Sequence, residues 1–360
     1  MLDLYSDYLL SSFNQTTATG WSKRTDGRVS HDKVSKFLNH KDYSSKELWQ
    51  EVKSFVRKYE NEDGCLIFDD TIINKPHTDE SALITWHYDH SIGKSVKGIN
   101  LITAFYCNTS LSDKSDEAPI RLPVSYMLVL KTIVYCVVKT KKVKRKSEMT
   151  KNEMMRQMIL QSIHNQLKFK YILADSWFAS AENMRFIKKK KKYFIFDMKT
   201  NRNAVLSEQD RNKGLWSRID KLDIPDNTPV EVWLKDLEFS VLLIKQVVKN
   251  KDGSTGVRFL VSNDFSLTKD HFSTIYKKRW SVEEYHKSLK QNASIAKSPT
   301  KIIRTQSNHI FAACIAYFKL EKLKLENELN HFAMKSKIYV AALKAAFKEL
   351  NILKGNHDVA

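Results

Sequence analysis

Two short apolar runs in this chain end on aspartate: Cys65-Leu-Ile-Phe leads into Asp69-Asp70, and Tyr171-Ile-Leu-Ala leads into Asp175. Runs of this length and composition read as strands. A buried strand rarely stops on a carboxylate without a capping or functional reason, and residues just past strand ends in an α/β sheet form the rim where ligands bind. More strands surround the two runs, with Ala82 to Tyr88, Ile99 to Cys107 and Tyr126 to Val138 all rich in aliphatic and aromatic residues. Thr150 and Glu153 form a capping box that opens a helix carrying Met154, Met158, Ile159, Ile163 and Leu167 on one side. A further helix through Met184 and Ile187 leads into a strand from Tyr193 to Met198. Strands, helix, strand, helix, strand is the order of an α/β fold, a mixed sheet with flanking helices.

The flanks differ in character. Residues 1 to about 60 read as helical, with Ser30 as an N-cap and apolar stripes of Val34, Phe37 and Leu38, then Trp49, Val52, Phe55 and Val56. The basic stretch Trp21 to Arg28 before them fits a small DNA-binding module and fits a plain helical cap as well. Val230 to Trp233, Phe239 to Val248 and Val257 to Val261 read as strands, with Asp252-Gly253 as a hairpin turn. From Asp270 onward the pattern is helical. The expected division is a helical, DNA-binding region at 1–61, a core in two parts at 62–199 and 265–325, a β-rich insertion at 200–264, and a helical C-terminal region at 326–360.

Charge narrows the partner. Sixty Lys plus Arg against 41 Asp plus Glu give a net charge of +19, and a polyanion, nucleic acid first, is the usual partner of such a surface. Membrane binding ranks lower, because no long basic amphipathic helix with a clean apolar face appears. No apolar run is long enough to span a bilayer and Met1 to Ser11 lacks the basic start of a signal peptide, so a soluble, cytoplasmic protein is expected. Cys65, Cys107, Cys136 and Cys314 lie far apart with no C-x-x-C pair, which excludes a zinc knuckle. The basic runs Lys139 to Lys146 and Lys188 to Lys192 read first as solvated loops or helix ends, and second as phosphate contacts along DNA.

The most specific pattern lies near the C-terminus. Tyr276, Arg279, Glu283 and Lys290 follow one another at spacings of three, four and seven, which on a continuous α-helix puts all four on one face. Trp280 and Val282 then fall elsewhere and can pack inward. The bland reading is a surface stripe with an Arg279–Glu283 pair worth only about 0.2–0.5 kcal/mol. His87 and His90 read as ordinary hydrogen-bonded histidines, Trp177 as core, and Lys75 as a basic contact near the first aspartate.

The segment Tyr276 to Lys290 resembles the Y-x2-R-x3-E-x6-K signature of bacterial insertion-sequence transposases of the DDE class. Asp-Asp-Thr at 69–71 and Leu-Ala-Asp-Ser-Trp at 173–177 look like that family's first and second aspartate motifs. The resemblance covers roughly residues 62 to 320. It implies a ribonuclease-H-like core with the β-rich insertion between the second aspartate and the glutamate. It also implies DNA cleavage at terminal inverted repeats and strand transfer into target DNA, by a homodimer working on DNA near the bacterial nucleoid. Carried over residue by residue, Asp69, Asp175 and Glu283 are the catalytic carboxylates and ligands of two Mg²⁺ ions, with Mn²⁺ able to substitute, and Tyr276, Arg279 and Lys290 contact DNA. Asp70 remains an alternative first carboxylate, because neighbouring strand residues point to opposite faces. Asp69 puts Thr71 on its own side, as in the family motif, and Glu283 rather than Glu284 keeps register with Tyr276, Arg279 and Lys290. A catalytically inactive, transposase-derived DNA-binding protein and a structure-specific nuclease on the same core are the rival readings.

Overall fold

The structure, a computed structural model, describes residues 1–90, 92–108, 119–249 and 252–354. In chain order its elements begin with helices α1 (Leu2–Ser11), α2 (Ala18–Arg24), α3 (His31–His40) and α4 (Ser45–Tyr59). Strands β1 (Cys65–Asn74), β2 (Thr85–Asp89), β3 (Lys94–Cys107), β4 (Arg121–Leu128), β5 (Ile133–Val137) and β6 (Lys142–Lys146) follow. Next come α5 (Lys151–His164), β7 (Tyr171–Ala174), α6 (Ala181–Lys189), β8 (Tyr193–Met198), β9 (Asn203–Val205), α7 (Glu208–Lys213) and β10 (Ser217–Arg218). The chain continues through β11 (Pro229–Leu234), β12 (Ser240–Lys249), β13 (Thr255–Ser262), α8 (Lys269–Lys277), α9 (Trp280–Gln291), α10 (Ile303–Asn327) and α11 (His331–Leu353). No helix among the described residues is long and apolar enough to cross a membrane.

Helix starts follow their caps. Ser30 accepts the Lys33 N–H at the start of α3, and Thr150 and Glu153 close a reciprocal capping box at the start of α5. Other boundaries differ from expectation. The stretch Tyr126 to Val138 is two strands: β4 is largely buried and ends at Leu128, whereas β5 is exposed along most of its length. In the basic run after it, Lys139 to Lys141 lie in an exposed turn as expected, but Lys142 to Lys146 form the second strand of a hairpin, while Lys188 to Lys192 does close a helix, with Lys191 at φ 55°.

The chain divides into two compact units, Lys53–Thr71 with Leu101–Glu283, and Met1–Val52 with Ile72–Asn100 and Glu284–Ala360. The first is built on a mixed sheet in the order β10-β9-β11-β12-β13-β8-β7-β1-β3, with β4 also paired to β3. β7 runs parallel to both β1 and β8, and the strands beyond β8 are antiparallel. The strands of the β-rich stretch therefore prolong the same sheet through the β8–β13 pairing. The centre of the sheet is apolar throughout, with Leu66, Ile67, Phe68, Ile172, Leu173, Phe194, Ile195 and Phe196 all fully buried. Helix α5 packs on β4 and α6, while α6 and α8 pack on β8.

In the second unit α1 and α3 pack on α10, and β2 pairs with the start of β3. Tyr5 and His309 share a hydrogen bond of 2.9 Å, and burial holds the His309 imidazole down at about 4, neutral in ordinary buffers. Asn308, almost fully buried, donates to the carbonyls of Leu38 and Lys41 at 2.7 Å each and accepts the Tyr43 N–H at 3.0 Å. One amide thus ties the end of α3 and the segment after it to α10, beside the Tyr5–His309 bond from α1. His87 is hydrogen-bonded to Thr85, as an ordinary histidine. The Lys75 ammonium lies on the carbonyls of Ala296 and Ser298 instead of serving as a contact beside the first aspartate.

Replacing Asn308 with alanine takes this partner from the buried Leu38 carbonyl and from the part-buried Lys41 carbonyl and Tyr43 amide. Chemical denaturation is expected to show a loss of about 2–4 kcal/mol; an unchanged midpoint would mean that this amide does not anchor the end of α3.

Candidate active site

The parallel register sets the site. Phe68 pairs with Ala174, and Ala174 with Phe196. The next residue along each chain is an acid, so Asp69, Asp175 and Asp197 stand at one level across three neighbouring strands, just past the end of β7, near the end of β8 and midway along β1, which runs on to Asn74 rather than stopping at the acid. Asp197 escaped the sequence reading, although Tyr193-Phe-Ile-Phe-Asp repeats the pattern of an apolar run ending on an acid.

Burial and like charge act on these carboxyls together. Burial pushes the Asp69 carboxyl up to about 7, and the charges of Asp175 and Asp70 add to the shift. Asp175 is raised mainly by burial, with Asp70 adding and Arg279 opposing, and Asp197 is raised for the same first reason. Asp175 Oδ1 also accepts the Trp177 N–H at 3.0 Å, which turns the chain out of β7 towards the Ser180 cap of α6. The two adjacent aspartates are distinct. Asp70 is held by Lys151 of α5 at 2.8 Å, whereas Asp69 Oδ1 accepts the Asp70 N–H and its charge is felt by Asp175 and Arg279.

The expected single helix from Tyr276 to Lys290 is broken. Helix α8 ends at Lys277 and α9 begins at Trp280, and the Lys278 and Arg279 amides bond to the carbonyls of Ile275 and Tyr276 in tight i to i−3 turns. Such a turn keeps residues three apart together, so the Arg279 guanidinium stays 5.7 Å from the Tyr276 ring centre. Arg279 also donates to Glu283 Oε1 at 2.6 Å. Burial opposes the Arg279 charge, yet Tyr276, Glu283 and Asp69 together raise its pKa. Tyr276 is buried, with its hydroxyl 3.4 Å from the Ala174 carbonyl, the residue before Asp175. Val282 packs inward as expected, but Trp280 is 59% exposed, and Trp177, read as core, is exposed beside Lys151 and Lys199. Asp69, Asp175, Tyr276, Arg279 and Glu283 all belong to one compact unit, whereas Lys290 is exposed in the last turn of α9 and belongs to the other, as does the exposed Glu284.

A groove of about 530 Å³ opens beside Tyr276 and Arg279, lined also by Arg258, Lys269, Lys277 and Trp280, with no carboxylate in its wall. Gln246, buried, accepts the Arg258 Nε at 2.7 Å and donates to Ser273 Oγ at 2.9 Å, which fixes the guanidinium 5.1 Å from the Tyr276 ring centre. Gln246 and Arg258 face each other across β12 and β13, a relation that no linear motif carries.

Among the described residues no three Asp, Glu, His or Cys side chains converge on one metal position; Glu283 is held by Arg279. The donor chemistry nonetheless suits a hard divalent cation: Asp69 and Asp175 offer carboxylate oxygens whose charge is suppressed by burial and by other acids, a penalty that a cation removes.

The sequence matches the family model described as transposase DDE domain over residues 133–319, and the model described as DDE superfamily endonuclease over residues 1–216. No curated protein matches it significantly. Each family match spans more than half of the chain, and between them they include Asp69, Asp175 and Glu283. The chain belongs to the DDE transposases.

Proposed function

We propose that this protein cuts DNA at the terminal inverted repeats of its element and joins the freed 3′ ends to target DNA, on a ribonuclease-H-like core with Asp69, Asp175 and Glu283 as its catalytic carboxylates. The observation that carries this reading is the level pairing of Asp69 and Asp175 on adjacent parallel strands, beside the Arg279–Glu283 pair. Asp69 is preferred to Asp70 because Lys151 already holds Asp70.

Asp69, Asp175 and Glu283 would hold Mg²⁺, with Mn²⁺ as a substitute. When bound, such ions would supply an activated water and charge neutralisation at the leaving 3′ oxygen. The chain's own groups bind and orient the strand. Arg279, released from Glu283, offers a forked donor set to a phosphate next to the cut, and Tyr276 stacks against that guanidinium and limits its rotation. Arg258, fixed by Gln246, and Lys277 extend the same positive wall along the groove. Lys290 serves as a point charge for DNA phosphate. A homodimer on DNA, inside the cell at the nucleoid, belongs to the same reading.

A labelled terminal-repeat duplex incubated with Mg²⁺ tests the assignment. Asp69→Asn, Asp175→Asn and Glu283→Gln are each expected to lower cleavage at least about a hundredfold, with Asp70→Asn within about tenfold of wild type. Cleavage at the wild-type rate in the Asp175→Asn protein would sink the proposal. Product joined to a second duplex separates a transposase from the nuclease suggested by the endonuclease family description.

The raised Asp69 pKa has a consequence in the ion-free protein. A carboxyl titrating near 7 when folded and near 3.8 when unfolded binds more protons in the native state between these values. Its contribution to stability therefore falls as pH rises through that window and is most unfavourable above it. Asp69→Asn is expected to melt higher than wild type at pH 8, by a smaller margin at pH 5, and Mg²⁺ should narrow the gap at pH 8 by stabilising wild type alone. A margin that does not grow with pH would contradict the assigned burial and repulsion.

A further inference from the structure

The hairpin β5–β6 stands apart from the sheet. Its strands pair with each other and with no other strand among the described residues, in a register from Ile133 opposite Lys146 to Val137 opposite Lys142. Among the described residues both faces of the ribbon are largely exposed. Tyr135 lies on one and Val134 on the other, and both are exposed, while Val143 is 70% and Val138 at the turn 88% exposed. A two-stranded ribbon with two wet faces is marginal by itself, so retaining one needs a reason beyond packing.

Its charge supplies that reason. From Lys131 to Glu148 there are seven basic residues and one acid. The acid is engaged at the base of the ribbon, where Thr132 donates to Glu148 at 2.8 Å. Lys142, Lys144 and Lys146 alternate along β6, which sets all three on one face, the face of Ile133, Tyr135 and Val137. Neighbours two apart on a strand are about 6.6–6.8 Å apart, well inside the Debye length of about 8 Å at physiological salt, so the like charges repel. Among the described residues Lys139, Lys141, Lys142 and Lys144 make no ion pair. The turn holds two of these lysines, and Lys141 sits there at φ 52°, a conformation that favours glycine or asparagine. A polyanion brought from outside would relieve the repulsion within the ribbon.

We propose that the β5–β6 ribbon is a DNA-binding arm that lies in a groove of duplex DNA, with lysines of β6 and the turn on the phosphates; this rests on the reading that DNA is the substrate. Five residues per strand give an arm about 17 Å long, and a two-stranded ribbon fits the roughly 12 Å width of the major groove. The arm adds a contact separate from the residues at the cut.

The test compares the full-length protein with a variant carrying Lys139→Gln, Lys141→Asn, Lys142→Gln and Lys144→Gln. A control carries Lys337→Gln, Lys344→Gln, Lys348→Gln and Lys354→Gln and so loses the same charge elsewhere. Fluorescence anisotropy on a labelled duplex is read across a salt series, and thermal melting checks folding. The ribbon variant is expected to melt like wild type, to bind at least about tenfold more weakly near 0.1 M salt, and to lose about 2–4 from the salt slope. Its single-turnover cleavage at saturating protein should match wild type. Wild-type affinity and slope in the ribbon variant, an equal loss in the control, or a loss for duplex RNA without a loss for duplex DNA would each overturn the arm. A wild-type protein that fails to bind duplex DNA would instead overturn the functional reading beneath it.

Discussion

Three strands run side by side in parallel, and each carries an acid at the same level of their shared register. The geometry forces Asp69, Asp175 and Asp197 into proximity at the edge of an apolar sheet, where burial raises all three pKa values. Much of the surrounding structure bears on that concentration of negative charge. Arg279 opposes it at all three carboxyls, Arg258 at Asp197, and Lys151 takes up Asp70. A fold chosen for stability alone has little use for such an arrangement, since apolar residues at those positions would avoid the desolvation.

Arg279 sits where the competing demands meet. It is bound to Glu283 and faces Tyr276, and although burial opposes its charge, these two and Asp69 raise its pKa. In the proposed reaction it exchanges one anion for another, giving up a carboxylate and taking a phosphate. The tight turn between α8 and α9 keeps the arginine next to Tyr276, three residues back, and Trp280 is exposed at the mouth of a positive groove.

The parts of this arrangement readable in the sequence are those with a local signal. The apolar runs ending on Asp69 and Asp175, the capping box at Thr150 and the spacing from Tyr276 to Glu283 depend on neighbours a few residues away. Asp197 obeyed the same rule and was legible in principle. The Arg258–Gln246 pair was not, because cross-strand register in a hairpin joins residues that no motif relates. Lys139 to Lys146 read as a loop because clustered lysines are poor strand formers; pairing of Lys142 to Lys146 with the apolar Ile133 to Val137 overrides that propensity. Helical register turns Trp280 inward only if the helix is continuous, and it is broken just before that residue; Trp177 reads as core by residue type, a weak guide where lysines surround an aromatic ring.

In the proposed function the level pair Asp69 and Asp175 takes part in holding a divalent cation. Mn²⁺ binding followed by electron paramagnetic resonance at pH 7, with proton release recorded in parallel, addresses it without depending on DNA. The account predicts that wild type binds Mn²⁺ and releases protons as it does so, and that Asp69→Asn and Asp175→Asn each weaken binding at least about tenfold. Equal Mn²⁺ affinity in wild type and both variants would contradict it.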